Sequence, residues 1–261
     1  MELVLYQVDA FAEKLFQGNP AAVVPLPSWL PDDMLQKIAL ENNLAETAFY
    51  VHEPEGYHIR WFTPTTEVDL CGHATLATAY VLMNHEGFQE DRITFKSRSG
   101  PLGVSRKGDQ FALDFPADTL LEVALPDLLG KSLHLKPVRV FKGKTDYLLV
   151  FENETQIRSL HPDLSCLAGV PCRGVIVTAP GDKTDFVSRF FAPQSGVDED
   201  PVTGSAHTTL VPYWAGRTGK DKLSAIQCSS RSGRLDCVLH GNRVEIAGKA
   251  RLYLIGKIYI D

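Results

Sequence analysis

Short runs of β-branched and aromatic residues, broken by glycine, proline and asparagine, dominate the pattern of hydrophobic positions along the chain. Such runs are typical of strands, so the pattern predicts a molecule built largely of β-structure. The runs that indicate strands include VLYQVDAF, HIRWF, RITFKSRSG and QFALDF in the first half and VRVFKGKTDYLLVF, DFVSRFFAP and RVEIAG in the second.

Two segments of the first half have helical patterns. PDDMLQKIALENNL (31–44) begins with an acidic first turn, and ATLATAYVLMNHEG (74–87) is almost wholly apolar before its glycine. A helix that is apolar on every side is a buried one, so we predict that strands surround the second segment. In the second half we predict an equivalent helix that starts near Ser205 and is kinked or shortened at Pro212.

The two halves of the chain resemble each other. RWFTPTTEVDLCGHAT (60–75) aligns with RFFAPQSGVDEDPVTGSAHT (189–208), and SRSGPL (97–102) aligns with SRSGRL (230–235). The offset is about half the chain, which indicates two copies of one domain-sized unit rather than a solenoid of short repeats.

We place the break between the two lobes in the region 117–136, which supplies proline and glycine but no clear strand. The first lobe is predicted to span 1–118, with a final strand near 252–261 that can return to it, and the second lobe to span 119–251.

The repeat pairs Gly72 and His73 with Gly204 and Ser205, each pair at the predicted start of a buried helix. Backbone N–H groups at a helix start are free and the helix dipole is positive there, so both positions favour an anion. We therefore expect a cleft between the lobes that holds a carboxylate.

Composition and charge exclude several classes of partner. The chain has 261 residues, 44% apolar and 22% charged, with a formal net charge of −6, as in ordinary soluble globular proteins. Nucleic-acid and anionic-membrane surfaces need clustered lysine and arginine, which the chain lacks. No segment is long enough to span a membrane, and the amino terminus lacks the features of a signal peptide. We predict a cytoplasmic protein with neither nucleic-acid nor membrane partners.

The cysteines predict neither a disulfide framework nor a zinc site. There are five of them, an odd number, and no pair has CxxC spacing. Cys71 lies in an alanine-rich context without a basic neighbour in sequence, as is typical of a small buried hydrophobic residue. We therefore predict no metal.

Three polar residues have both a functional and a structural interpretation. Glu46 has apolar neighbours in NLAETAFYV, which should raise its pKa toward the range of a proton-transfer catalyst, although a solvated loop glutamate is the alternative. His73 is either functional or a helix-start residue whose ring bonds a backbone carbonyl. Asp200, before Pro201, is either functional or a helix N-cap.

Four separated blocks resemble the PhzF family of phenazine-biosynthesis-like proteins. They are GNPAAVV (18–24), LAETAFY (44–50), the FTP-x4-DLCGHAT block (62–75) and DEDPVTGSAHT (198–208), in order over most of the chain. The resemblance implies an α+β fold of the diaminopimelate epimerase type, with two pseudo-symmetric lobes that are each a mixed β-barrel-like sheet around a central helix. The internal repeat fits this fold independently.

The resemblance also implies a cofactor-independent reaction based on general acid/base chemistry. Glu46 would take a proton from carbon and return it elsewhere on the substrate, while His73 and Asp200 would polarise the ligand and Ser205 would complete the cradle. The residues that we expect to bind substrate are Gly72, Gly204, Asn19, Cys71 and Thr203.

We expect a PhzF-like isomerase that moves a proton on a small unsaturated carboxylate-bearing metabolite, as a possible homodimer.

Distant epimerases of this fold use one thiol per lobe. Cys71 occupies the first of these positions, but Thr203 stands at the second, and its hydroxyl is too weak an acid for that role. An amino-acid racemase or epimerase that pairs Glu46 with Cys71 stays open, as does a catalytically idle binding protein. Ala45, where the family would have serine, leaves the substrate open.

Overall fold

Strands account for most of the regular structure in a computed structural model that describes residues 1–261. Two compact units divide the chain: unit 1 comprises Met1–Asp114 and Ala247–Asp261, and unit 2 comprises Phe115–Ile246. None of the helices combines the length and the apolar character that a membrane span requires.

The elements are numbered along the chain. The first strands are β1 (Glu2–Ala10), β2 (Asn19–Leu26), β3 (Glu46–Glu53), β4 (Gly56–Phe62), β5 (Glu67–Val68), β6 (Arg92–Lys96), β7 (Leu102–Lys107) and β8 (Gln110–Pro116), with helices α1 (Asp32–Asn42) and α2 (Gly72–Asn84). The remaining strands are β9 (Leu121–Glu122), β10 (Arg139–Lys142), β11 (Tyr147–Val150), β12 (Val175–Pro180), β13 (Phe186–Phe191), β14 (Lys222–Gln227), β15 (Gly233–His240), β16 (Arg243–Gly248) and β17 (Ala250–Tyr259), with helices α3 (Asp127–Lys131), α4 (Glu154–Ser159), α5 (Leu164–Ala168) and α6 (Gly204–Thr218).

The sheet of unit 1 follows the order β17, β1, β2, β3, β4, β6, β7, β8. Two neighbouring pairs, β2 with β3 and β4 with β6, are parallel, and the others are antiparallel. Parallel neighbours need a crossover connection. Helix α1 lies in the connection from β2 to β3, and α2 lies in the connection from β4 to β6.

Unit 2 repeats this sequence of pairings. From β10 through β11, β12, β13 and β14 to β15, the neighbours are antiparallel, parallel, antiparallel, parallel and antiparallel. The series from β1 to β7, without β5, alternates in the same way. Helix α6 lies in the connection from β13 to β14, as α2 does in the corresponding connection of unit 1. The predicted equivalence of the two helix starts, at Gly72 and Gly204, is confirmed.

A bidentate ion pair also recurs in the two units. Arg60 on β4 donates from Nε and Nη2 to the two carboxylate oxygens of Glu67, at 2.7 and 2.8 Å. Arg189 on β13 donates in the same way to Glu199, at 2.7 and 2.9 Å. Paired charge-assisted bonds of this kind are strong and directional. In each unit the pair therefore fixes the segment between a strand and the start of the long helix.

Helix α2 is the buried helix that its composition predicts. Ten of its 13 residues are buried, and it packs against β1, β2 and β3. Alanine and threonine at most of its turns keep the helix narrow, so the strands can approach it closely. Its start is therefore held rigidly by the sheet.

Helix α6 runs on to Thr218, so the predicted shortening at Pro212 is wrong. A proline in a helix leaves the carbonyl four residues earlier without its usual partner. That carbonyl belongs to Thr208, and it accepts a hydrogen bond from the backbone N–H of Asp118 at 3.0 Å. A contact from elsewhere in unit 2 therefore satisfies the group that the proline leaves unpaired.

Candidate functional site

Three elements of unit 1 bring the first group of candidate residues together. Asn19 is the first residue of β2 and Glu46 the first residue of β3. These strands are parallel, with Ala21 opposite Glu46, so both side chains lie at the same end of the sheet. Helix α2 begins there too, with Cys71 at its N-cap and His73 in its first turn.

The His73 ring lies at the centre of this group. Its Nδ1 is 3.3 Å from the amide nitrogen of Asn19 and 3.5 Å from the sulfur of Cys71. Its Nε2 is 3.3 Å from Oε2 of Glu46. Because an amide nitrogen only donates, Nδ1 acts as the acceptor and the ring proton lies on Nε2. The Nε2–H group is buried and makes no well-formed hydrogen bond within the protein.

Burial determines the charge of this imidazole. Loss of hydration on burial disfavours its charged form and lowers the pKa of His73 to about 3. His73 is therefore neutral near pH 7 and acts as a hydrogen-bond donor through Nε2. The Glu46 side chain is 19% exposed and the His73 side chain 6%, so the carboxylate is the more accessible of the two to a ligand.

These contacts bear on the structural interpretations of His73 and Glu46, while the functional roles of both residues stay predictions. The His73 ring contacts the side chains of Asn19, Cys71 and Glu46, whereas the structural alternative expected a bond to a backbone carbonyl. Glu46 begins a strand, so the solvated-loop interpretation is wrong.

A tight turn before β2 positions Asn19. Gly18 has φ of +69°, and a Cβ at this position would lie 2.1 Å from the carbonyl oxygen of Ala10. Only glycine fits there, because the conformation and the close backbone approach both exclude a side chain. The same loop is anchored by the carboxylate of Asp9, which accepts a hydrogen bond from the backbone N–H of Phe16 at 2.9 Å.

The second group of candidate residues lies at the start of α6 in unit 2. The hydroxyl of Thr203 donates to Oδ2 of Asp200 at 2.6 Å. Gln227 is fully buried and bonds both ends of this segment: its amide nitrogen donates to the Asp200 carbonyl at 2.7 Å, and its amide oxygen accepts from the Thr203 N–H at 2.8 Å. The Asp200 carboxylate is thereby held in one place.

Asp200 is not the N-cap of a helix. Helix α6 begins at Gly204 with Thr203 as its N-cap, and Pro201 lies outside the helix. The aspartate sits in the preceding segment because that segment is bonded to Gln227 rather than wound into a helical turn. The structural interpretation of Asp200 is therefore wrong.

Ser205, in the first turn of α6, has a cationic neighbour. Arg173 Nη1 donates to the Ser205 hydroxyl at 2.9 Å. The same guanidinium forms a two-bond ion pair with Asp146, whose side chain is 2% exposed. The buried carboxylate fixes the arginine, and the arginine orients the serine.

Sequence reasoning did not identify Gln227 or Arg173. Gln227 had a usable signal, because Leu223, Ala225 and Gln227 alternate as the buried positions of β14 and an amide at an inward position needs polar partners. Arg173 had none, because its role depends on Asp146 and Ser205, which are distant in sequence.

The chain is similar to proteins of one family over nearly its full length. Residues 8–256 match the family described as Phenazine biosynthesis-like protein, PhzC-PhzF. An uncharacterized isomerase of Pseudomonas aeruginosa is 55% identical over 260 residues, and the match covers 100% of both chains. The crystal structure of a PhzF family protein of Enterococcus faecalis superposes with a TM-score of 0.97 at 47% identity, covering 100% of both chains.

A more distant likeness concerns the fold alone. A hydroxyproline epimerase of Agrobacterium vitis is 11% identical, with a TM-score of 0.62 over 98% of this chain and 92% of that one. Together with the closer likeness, it confirms the predicted α+β fold of the diaminopimelate epimerase type.

Proposed function

The chain belongs to the phenazine biosynthesis-like (PhzF) family and is an isomerase, and on that premise we propose that it moves a proton between two carbons of a small unsaturated carboxylate without a cofactor. Glu46 is the proposed acid/base. It takes a proton from carbon, the double bond shifts, and the protonated carboxyl returns the proton to a second carbon. No electrons are gained or lost in this exchange.

The observation that carries the proposal is the pairing of the Glu46 carboxylate with a buried neutral imidazole. A positioned carboxylate can accept a proton from carbon, provided that the charge developing on the substrate is stabilised. The Nε2–H of His73, which lacks a well-formed bond within the protein, can donate to that charge. The proposed base and the proposed donor lie 3.3 Å apart, so one small substrate can contact both.

The remaining candidates take supporting roles in the proposal. Asn19 donates to Nδ1 of His73, which keeps the ring proton on Nε2 and therefore supports the donor role. The roles assigned to Asp200, Ser205 and Gly204 stay predictions, and the hydrogen bonds that fix Asp200 and Ser205 in unit 2 are compatible with polar contacts to a ligand.

Cys71 supports a second candidate function, an amino-acid epimerase. One donor atom from each of Glu46, Cys71 and His73 lies within 4.8 Å of the other two. A thiol and a carboxylate of one site can serve as acid and base on opposite sides of a carbon once the glutamate side chain turns outward, because two groups that each lie about 3–3.5 Å from that carbon are about 6–7 Å apart. In that reaction one group removes a proton from the carbon and the other delivers its own proton to the opposite face of the same carbon, so the configuration inverts.

A screen of carboxylic metabolites in deuterated water distinguishes these functions. The protein is incubated with each compound, and NMR locates the deuterium. Label at an allylic or ring carbon together with a shifted double bond supports the isomerase. Label at an α-carbon with loss of chirality supports the epimerase. Compounds that bind without any exchange contradict both.

A further inference from the structure

We propose that Glu46, Cys71 and His73 form a binding site for a divalent ion of the Zn²⁺ class, and that the bound ion inhibits the enzyme. The inhibitory part rests on the proposed function, because it requires that Glu46 is the base. The binding part depends only on the three side chains and is tested in the absence of substrate.

The donor set is the first argument. The three residues offer a sulfur, an imidazole nitrogen and a carboxylate oxygen, and these atoms lie within 4.8 Å of one another. Thiolate and imidazole together select zinc and similar transition metals over Mg²⁺ and Ca²⁺, which prefer oxygen. Three protein ligands with one open position are characteristic of zinc sites that also bind water or a small molecule.

The distances are the second argument. Zinc binds sulfur at about 2.3 Å and imidazole nitrogen at about 2.0–2.1 Å, so a tetrahedral ion separates these two atoms by about 3.6 Å. Cys71 Sγ and His73 Nδ1 are 3.5 Å apart. These two ligands are therefore already at the required separation. The Asn19 amide, which donates to the same Nδ1, has to turn away when an ion binds, and the carboxylate has to move inward by up to about 1.4 Å to complete the set.

The surroundings of the three donors are the third argument. The residues Cys71 and His73 are about 5–6% exposed, whereas the Glu46 side chain is 19% exposed. The sulfur and the ring lie at the start of α2, and the glutamate is the first residue of β3. The site thus combines two buried donors with one that is more accessible. The cysteine spacing did not predict it, because Glu46 comes from a separate strand.

A divalent ion bound at this site would block proton transfer by Glu46. A carboxylate that donates its lone pair to Zn²⁺ is no longer available to accept a proton from carbon. The ion would also occupy the space beside the His73 ring, so substrate and metal should compete. Inhibition should accordingly be relieved by a chelator and weakened by high substrate concentration.

The binding part is tested with Co²⁺ as a spectroscopic substitute for Zn²⁺ on the purified, substrate-free protein. We expect a thiolate-to-cobalt charge-transfer band and the intense visible bands of a tetrahedral ion, saturating at one ion per chain. Cys71→Ser should abolish the charge-transfer band. In a competition titration it should also weaken Zn²⁺ binding by at least about 100-fold, since even the loss of a residue that supports a metal ligand costs 10- to 100-fold.

Cys166→Ser is the matched control, because Cys166 is a partly exposed thiol of unit 2. It should keep both the band and the affinity, and circular dichroism checks that each variant is folded. No charge-transfer band in the wild-type protein, or a band that survives Cys71→Ser, overturns the metal site and leaves the proposed proton transfer untouched. Zn²⁺ that binds at Cys71 without lowering turnover overturns the inhibitory part.

Discussion

The charge state of buried His207 should make the protein sensitive to mild acid. His207 lies in α6 with no exposed surface, and its Nδ1 donates to the Thr203 carbonyl at 2.9 Å. Its Nε2 has no partner within the protein. Burial is the larger influence and outweighs that hydrogen bond, so the pKa of His207 falls to about 4. The unfolded chain should bind the proton with a pKa of about 6.5.

The direction of the effect follows from these two pKa values. Above about pH 6.5 the imidazole is neutral in both states and its contribution to stability is fully present. As the pH falls toward 4, the imidazole binds a proton in the unfolded state but stays largely neutral in the folded state. The free energy of unfolding therefore decreases. The loss from this one residue should be about 2 kcal/mol at pH 5 and about 3 kcal/mol below pH 4.

Urea denaturation between pH 7.5 and pH 4 measures this loss. His207→Asn retains an amide donor near the Nδ1 position but cannot titrate, so its stability should fall less than that of the wild type by about 2 kcal/mol between pH 7.5 and pH 5. His240→Asn, at an exposed position, is the control and should follow the wild-type profile. Parallel profiles for wild type and His207→Asn would refute the reasoning.

Two further predictions concern the segments that position the candidate residues. Gly18→Ala should destabilise unit 1 by several kcal/mol, because it adds a backbone clash at 2.1 Å to the strain of a positive φ. Gly108 also has a positive φ but nothing within 4 Å of an added Cβ, so Gly108→Ala should cost only about 1–2 kcal/mol. Equal decreases of the melting temperature in the two variants would contradict this account. Gln227→Met should leave the Thr203 N–H and the Asp200 carbonyl without their hydrogen bonds to Gln227, at a cost of about 1–3 kcal/mol for each group. Amide hydrogen exchange across 200–206 should become faster. Unchanged exchange would show that Gln227 does not hold the segment.

The elements most accurately predicted from sequence are those with a strong local pattern. PDDMLQKIALENNL forms α1 and the apolar run after Cys71 forms α2, because both patterns reflect burial along a single helix. The predicted shortening at Pro212 was wrong, since the helix continues where a hydrogen bond from Asp118, far away in the chain, satisfies the carbonyl that the proline leaves unpaired. A local rule cannot anticipate such compensation.

The candidate site likewise has features that the sequence predicts and features that depend on the surrounding fold. Asn19, Glu46, Cys71 and His73 were chosen from sequence blocks, and they lie together because parallel strands and a helix begin at one end of the sheet. The tautomer of His73 could not be predicted, since it depends on the contact with Asn19. Burial of the ring and the resulting neutral charge likewise require the surrounding fold.

The most direct test of the central claim is deuterium incorporation by Glu46→Gln, with Glu53→Gln as the matched control on the same strand. Both changes remove one carboxylate and keep the shape of the side chain. With a substrate from the metabolite screen, Glu46→Gln should slow exchange by about 100-fold or more while calorimetry shows that the substrate still binds. Glu53→Gln should exchange at the wild-type rate. Wild-type exchange in Glu46→Gln would contradict the assignment of Glu46 as the group that carries the proton.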